Sequence, residues 1–245
     1  MIKHYNTKIH IFILFNKYKL KYSKLEQFVS QPRLNRFLTA CGSSKVKAQK
    51  LYRINLRISK ESYPLLTLFE IFLRNAINGQ LSIYFNDIDW IVNQKSGFMS
   101  NNSLNSSRFQ MRTSVQKAEN TIRQKGSTVT AGKVIAEQTF GFWTSLFENH
   151  HYRLIGGSPI QCFANKPPQA NRSIIATKLN EIRLFRNRIY HNEPVCFLHN
   201  AVDFSHVQQT VQTIYELLNW IDADLATYAN SYDHINRIIT AGNNL

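Results

Sequence analysis

Residues 61–85, ESYPLLTLFEIFLRNAINGQLSIYF, constrain the fold more than any other stretch of this sequence. Ser62 reads as an N-cap, and Pro64 sits in the first turn, where its missing N–H costs nothing. From Leu65 to Phe85 the segment is apolar almost all round, which predicts a helix at the centre of the molecule. Helical periodicity recurs through most of the chain. Residues 24–40 predict two short helices separated near Pro32, and residues 44–59 carry one apolar stripe on a basic helix. A polar helix is expected over 107–125, ending at Gly126. A very apolar one follows at 130–148, with Thr130 as a cap and Gly141 inside it for close packing. Helices at 171–192 and about 203–229 follow, the first ending before Pro194. Residues 86–106 are Asn/Ser-rich and read as a loop or lid. No strand alternation is convincing. The expected fold is therefore all-α, with residues 1–21 an extension, 22–60 N-terminal helices, 61–230 one continuous core and 231–245 a tail.

Composition narrows the function. The 245 residues include 30 Lys+Arg against 15 Asp+Glu, a net charge of +15, so the surface favours polyanionic partners. Hydrophobic residues at 43% exclude a disordered chain. Three cysteines without CxxC spacing argue against a disulfide framework and for reduced thiols in the cytoplasm. The apolar run at residues 8–15 is far shorter than the roughly 20 residues a membrane span needs, and no membrane partner is expected.

The polar cluster that stands apart is IRLFRNRIYHNEP, residues 182–194. On a helix, Arg183, Arg186, Asn187 and Tyr190 lie at i, i+3, i+4 and i+7, and His191 falls in the last turn ahead of Pro194. A guanidinium, an amide and an imidazole thus share one face, where the carbonyl ends favour a protonated imidazole. RNA phosphodiester cleavage needs such a set. The imidazole takes the 2′-hydroxyl proton or protonates the leaving 5′-oxygen, and the guanidinium holds the non-bridging oxygens as charge builds. From these residues alone the bare RNxxxH pattern is weak, and a plain basic helix face with a terminal His is the commoner reading. Arg74 and Asn75 interrupt the apolar helix, with Glu70 one turn earlier, so Glu70–Arg74 is expected as an ion pair or as part of a site.

Other groups are decoys. His191, Cys196, His199, Asp203 and His206 are all able to ligate metal, but their spacing is looser than that of zinc sites. His150 and His151 read as a surface pair, Trp143 and Trp220 as core residues, and Cys41 as a buried or half-buried thiol. No metal and no cofactor are expected.

The chain resembles the Abi-like abortive-infection proteins of the D/F type, bacterial anti-phage proteins with a HEPN domain. The resemblance is carried by YSKLEQFVSQPRLNRFL (22–38), KAQKLYRINLRISKESYPLLTLFEIFLRNAI (47–77), GKVIAEQTFGFWTSLF (132–147), LNEIRLFRNRIYHNEPV (179–195) and LLNWID (217–222). It implies a HEPN-type helical bundle with added N-terminal helices, dimerising so that two RxxxxH helices meet at a shared cleft. It implies metal-independent endoribonuclease activity that leaves a 2′,3′-cyclic phosphate and a 5′-hydroxyl. Arg186 and His191 fall on the catalytic pair and Asn187 on the polar residue that orients it. Glu70, Arg74, Asn75, Arg183, Arg188 and Tyr190 are expected to support the site or hold RNA. Asn192 stands where relatives often carry a second His. Expected partners are RNA as substrate or regulator, a second copy of the chain and an antitoxin. The alternative is a non-catalytic module that binds RNA or an antitoxin.

Overall fold

The computed structural model describes residues 20–245, so the extension expected over 1–21 lies almost wholly outside the described residues. The described chain is all-α. Two short helices come first, α1 (Tyr22–Val29) and α2 (Gln31–Ala40), with Pro32 in the first turn of the second. The spine follows as α3 (Lys45–Phe85), 41 residues long, about 60 Å at 1.5 Å per residue. Its buried positions form one stripe from end to end: Ala48, Leu51, Ile54, Ile58, Leu65, Phe69, Leu73, Ile77 and Leu81. That stripe explains why two expected helices are one. The apolar register continues across residues 58–65, so packing keeps the helix going through Pro64. Ser62 is accordingly no N-cap; its hydroxyl donates back to the carbonyl of Ile58 at 2.8 Å. The boundary expected at residue 60/61 falls inside this helix.

The stretch 86–106 is no free lid. It holds α4 (Trp90–Asn93) and two 3-10 turns, Phe98–Ser100 and Asn102–Ser107. Trp90 and Met99 are wholly buried, and the Trp90 indole donates to Asn78 Oδ1 on α3 at 2.9 Å. Next come α5 (Gln110–Gln124), α6 (Ala131–Glu137) and α7 (Phe140–Ser145). The expected helix over 130–148 is thus two. Gln138, extended and buried, breaks it; its amide donates to the Val134 carbonyl, and its Oε1 accepts from Ser114 at 2.7 Å. Thr130 does cap α6, accepting from the Lys133 N–H. Gly141 meets nothing closer than Thr139 Oγ1 at 3.7 Å, so close packing is not its role.

Then α8 (Asn149–Leu154), a 3-10 turn at Ser158–Cys162 and α9 (Arg172–Tyr190) lead to a two-residue antiparallel pair, β1 (Phe197–Leu198) with β2 (Ala201–Val202). The helix expected over 203–229 is also two, α10 (Ser205–Ile221) and α11 (Ala223–Asn230), because the Asp222 carboxylate accepts from the Asp224 N–H and starts a new helix. The expected tail is ordered as α12 (Ile235–Asn243), with Ile235, Ile238 and Ile239 buried. It packs on α3 so closely that a Cβ on Gly242 would stand 2.7 Å from Phe204 and 3.3 Å from Ile54. Helices α2, α7, α10, α11 and α12 and the 158–162 turn all contact α3. Among the described residues no helix is long and apolar enough to cross a membrane.

Candidate active site

Helix α9 earns its face and its end from separate sequence features. Asn171 caps its start, accepting from the Ile174 N–H at 3.1 Å. Ile175, Leu179, Ile182, Phe185 and Ile189 bury one stripe and leave Arg186 and Tyr190 beside it. At the other end His191 is the C-cap. The Asn192 N–H donates to the Ile189 carbonyl and the Glu193 N–H to that of Arg188, with Asn192 left-handed at φ 56°. This is a Schellman stop, and a residue that tolerates positive φ is what position 192 asks of the chain. The asparagine at position 192 thus has a structural account.

Three contacts set α9 and its exit against α3. The Asn55 side chain accepts from the Val195 N–H at 2.8 Å in a buried setting, Tyr63 and Tyr190 have ring centroids 6.3 Å apart, and Arg186 Nε donates to Glu70 Oε2 at 3.1 Å. As numbers rise on α3 they fall on α9, so the two run antiparallel. Arg186 also lies over the Tyr190 ring, 4.3 Å from its centroid. Its guanidinium is therefore held by an anion and an aromatic ring, with no further hydrogen bond on its terminal nitrogens among the described residues. The side chains of Arg186 and Glu70 are 23% and 21% exposed, reachable by a ligand. His191 is exposed, and its ring makes no hydrogen bond within the described residues. Burial raises the Tyr190 phenol above its ordinary value, Arg186 pulls it down, and Tyr63 and Glu70 push it up again. It stays protonated at neutral pH.

The ion pair expected between Glu70 and Arg74 is replaced by Glu70–Arg186. Arg74 Nε is buried without a hydrogen-bond partner among the described residues, one turn beyond Glu70 on α3. Asn187 is half-buried and Asn75 exposed, neither side chain bonding within the described chain. Arg183 donates to Asn180 at 2.7 Å. Arg188 points to a different task from the expected RNA contact: it donates to the Pro194 carbonyl and lies 3.8 Å from Glu193, fastening the turn after His191. Two residues of this site went unread in the sequence, Asn55 and Tyr63. Tyr63 had a signal, an aromatic in the polar wedge before an apolar run; Asn55 had none.

The decoys resolve by burial. Cys196 is buried, and burial pushes its thiol up to about 12, far from a thiolate ligand at neutral pH. His151 is no surface residue. It is 1% exposed, its Nδ1 lies 2.9 Å from the Ser145 carbonyl, and burial lowers its basicity. Glu148, His150 and His151 are the one group of possible metal ligands that converge among the described residues, but the hydrogen bond to Ser145 already occupies His151 Nδ1. Trp143 and Trp220 are core residues.

Comparison with protein-family models, with curated proteins and with solved structures finds no match for this chain.

Proposed function

We propose that the chain is an endoribonuclease of HEPN type, the effector of a bacterial abortive-infection or toxin system working in the cytoplasm. One observation carries the proposal: a fixed, part-exposed Arg186 five residues, about one and a half turns, before an exposed His191 at a helix end, whose ring bonds to nothing among the described residues. In the reaction the 2′-hydroxyl oxygen attacks phosphorus and loses its proton to an imidazole. The bond to the 5′-oxygen breaks, and that oxygen receives a proton from an imidazole. The products are a 2′,3′-cyclic phosphate and a 5′-hydroxyl, with no net redox change. Arg186 bears the charge that grows on the non-bridging oxygens, and Glu70 and Tyr190 position it. Asn187 lies beside both groups to orient the phosphate. A homodimer brings two His191 imidazoles to one cleft, one to take a proton and one to give it. The reaction as written calls on no metal or cofactor.

A second reading has its own observation. The Glu70 carboxylate offsets part of the Arg186 charge, which suits a module that binds RNA or an acidic antitoxin without turnover. The two separate on a cleavage assay with total RNA. Arg186→Ala and His191→Ala should each lower cleavage by at least about a hundredfold; His191→Ala should melt close to the parent chain, and Arg186→Ala below it, since it leaves Glu70 unpaired. Sequenced ends should carry cyclic phosphates. Cleavage retained in both variants sinks the nuclease reading; a parent that binds RNA and never cuts it favours the second.

A further inference from the structure

The Tyr63–Tyr190 contact that helps join α3 to α9 leaves both rings open to water. Tyr63 is 54% exposed and Tyr190 49%, and Tyr63 is no part of the core. Two large rings held in water at one spot cost the fold apolar exposure and return little packing. Their neighbours are informative. On α3, Tyr63, Glu70 and Arg74 lie at i, i+7 and i+11, one face of the helix. On α9, Arg186 and Tyr190 lie at i and i+4, and these two faces meet through the Glu70–Arg186 pair. The Arg186 guanidinium lies over the Tyr190 ring at 4.3 Å from its centroid, and the Tyr63 ring is tilted by 37° to it at 6.3 Å. A flat surface, a cation and an imidazole thus follow one another within two helical turns.

We propose that Tyr63 and Tyr190 form a stacking platform for one unpaired nucleobase of single-stranded RNA, placing its phosphate at Arg186 and His191. This rests on the nuclease reading for its substrate class and adds the strandedness and the binding residues. A tyrosine ring offers a π-face to any base, so the platform is tolerant of sequence. It is intolerant of duplex, because in a helix both faces of each base are already stacked and the grooves show only edges.

The test measures binding, not cleavage, so that it stands apart from the nuclease reading. His191→Ala serves as the parent, and the probe is a labelled oligoadenylate of about a dozen nucleotides, alone or annealed to oligouridylate. Adding Tyr63→Ala should weaken single-strand binding by about ten- to a hundredfold and leave the weaker duplex binding unchanged. Tyr63→Phe, which keeps the π-face, should bind like the parent. The melting temperature of each variant shows that the fold is intact. Equal single-strand affinity with and without the Tyr63 ring overturns the platform, as does a parent that prefers duplex or binds no RNA. A change in oligomeric state by light scattering, with RNA affinity per chain unaltered, also overturns it and assigns Tyr63 to a protein interface. Should the chain prove not to cut RNA, a single-strand preference lost with Tyr63→Ala leaves the platform standing.

Discussion

A histidine shut away from water is pressed to give up its charge, and the buried His151 is such a residue. Burial lowers its pKa first; the Ser145 carbonyl raises it, His150 lowers it and Glu148 raises it. In the unfolded chain the same imidazole titrates at about 6.5. Below that pH unfolding takes up a proton, so the stability that depends on neutral His151 is complete above about pH 6.5 and falls as the pH drops through it. His206 is lowered for the same first reason, with Arg188 adding to it, and contributes with the same sign. We expect the melting temperature of the wild type to fall between about pH 7.5 and about pH 5.5, and His151→Phe to remove part of that fall. An identical pH dependence in the two proteins would show that His151 is not buried neutral. At the same scale, the sequence disclosed Arg186, Asn187 and His191 because their spacing on one helix is local information. The partner of Arg186 was not legible. Glu70 stands 116 positions away, and the nearer candidate Arg74 satisfied every local rule for an ion pair.

Elements were legible where the signal is local and lost where packing overrules it. The Asn171 cap and the stop at Pro194 bracket α9 well, and Pro32 separates α1 from α2 as its place in a first turn demands. Pro64 offered the same first-turn signature and misled, because the stripe Ile54, Ile58, Leu65, Phe69 buries continuously on both sides of it. The split at Gln138 depends on Ser114, 24 positions earlier, and no window of sequence around 138 contains it. The C-terminal helix was legible and missed: Ile235, Ile238, Ile239 and Gly242 have helical spacing, and these four are its buried residues. The continuity of α3 has a consequence that can be measured. In a helix interior Pro removes a bond to the carbonyl four residues back, here that of Lys60, and its ring crowds that turn. Pro64→Ala should therefore stabilise the protein by about 1–3 kcal/mol, raising the melting temperature by several degrees. If residues 61–85 began a separate helix instead, Pro64 would sit in a first turn and the substitution would gain nothing or lose stability. The site reads out the same point, since Tyr63 is held to the register of Glu70 only if α3 runs unbroken past residue 64.

At the scale of the whole molecule, the net charge of +15 is what any polyanion meets before it reaches the site. Charge alone does not distinguish RNA from an acidic protein, because both are attracted by the same Lys and Arg and both are screened by salt. The distinction lies in how individual arginines are committed. Among the described residues, Arg188 is fastened to Pro194 and Glu193, Arg183 to Asn180, and Arg186 to Glu70 through one nitrogen, with its terminal nitrogens making no hydrogen bond. Each phosphate neutralised on a single strand adds about 0.7 to the slope of log affinity against log salt. Affinity for single-stranded RNA should therefore fall steeply between about 50 mM and about 200 mM salt. Arg186→Ala should lower that slope by about the value of one phosphate, whereas Arg188→Ala should leave it unchanged, whatever it does to the turn after His191. Equal losses of slope in the two variants would mean that RNA meets a diffuse basic surface, and that the Arg186–His191 face does not hold the phosphate. No measurable RNA affinity even at low salt would leave the charge to an acidic protein partner, with Arg186 as one of the groups that partner covers.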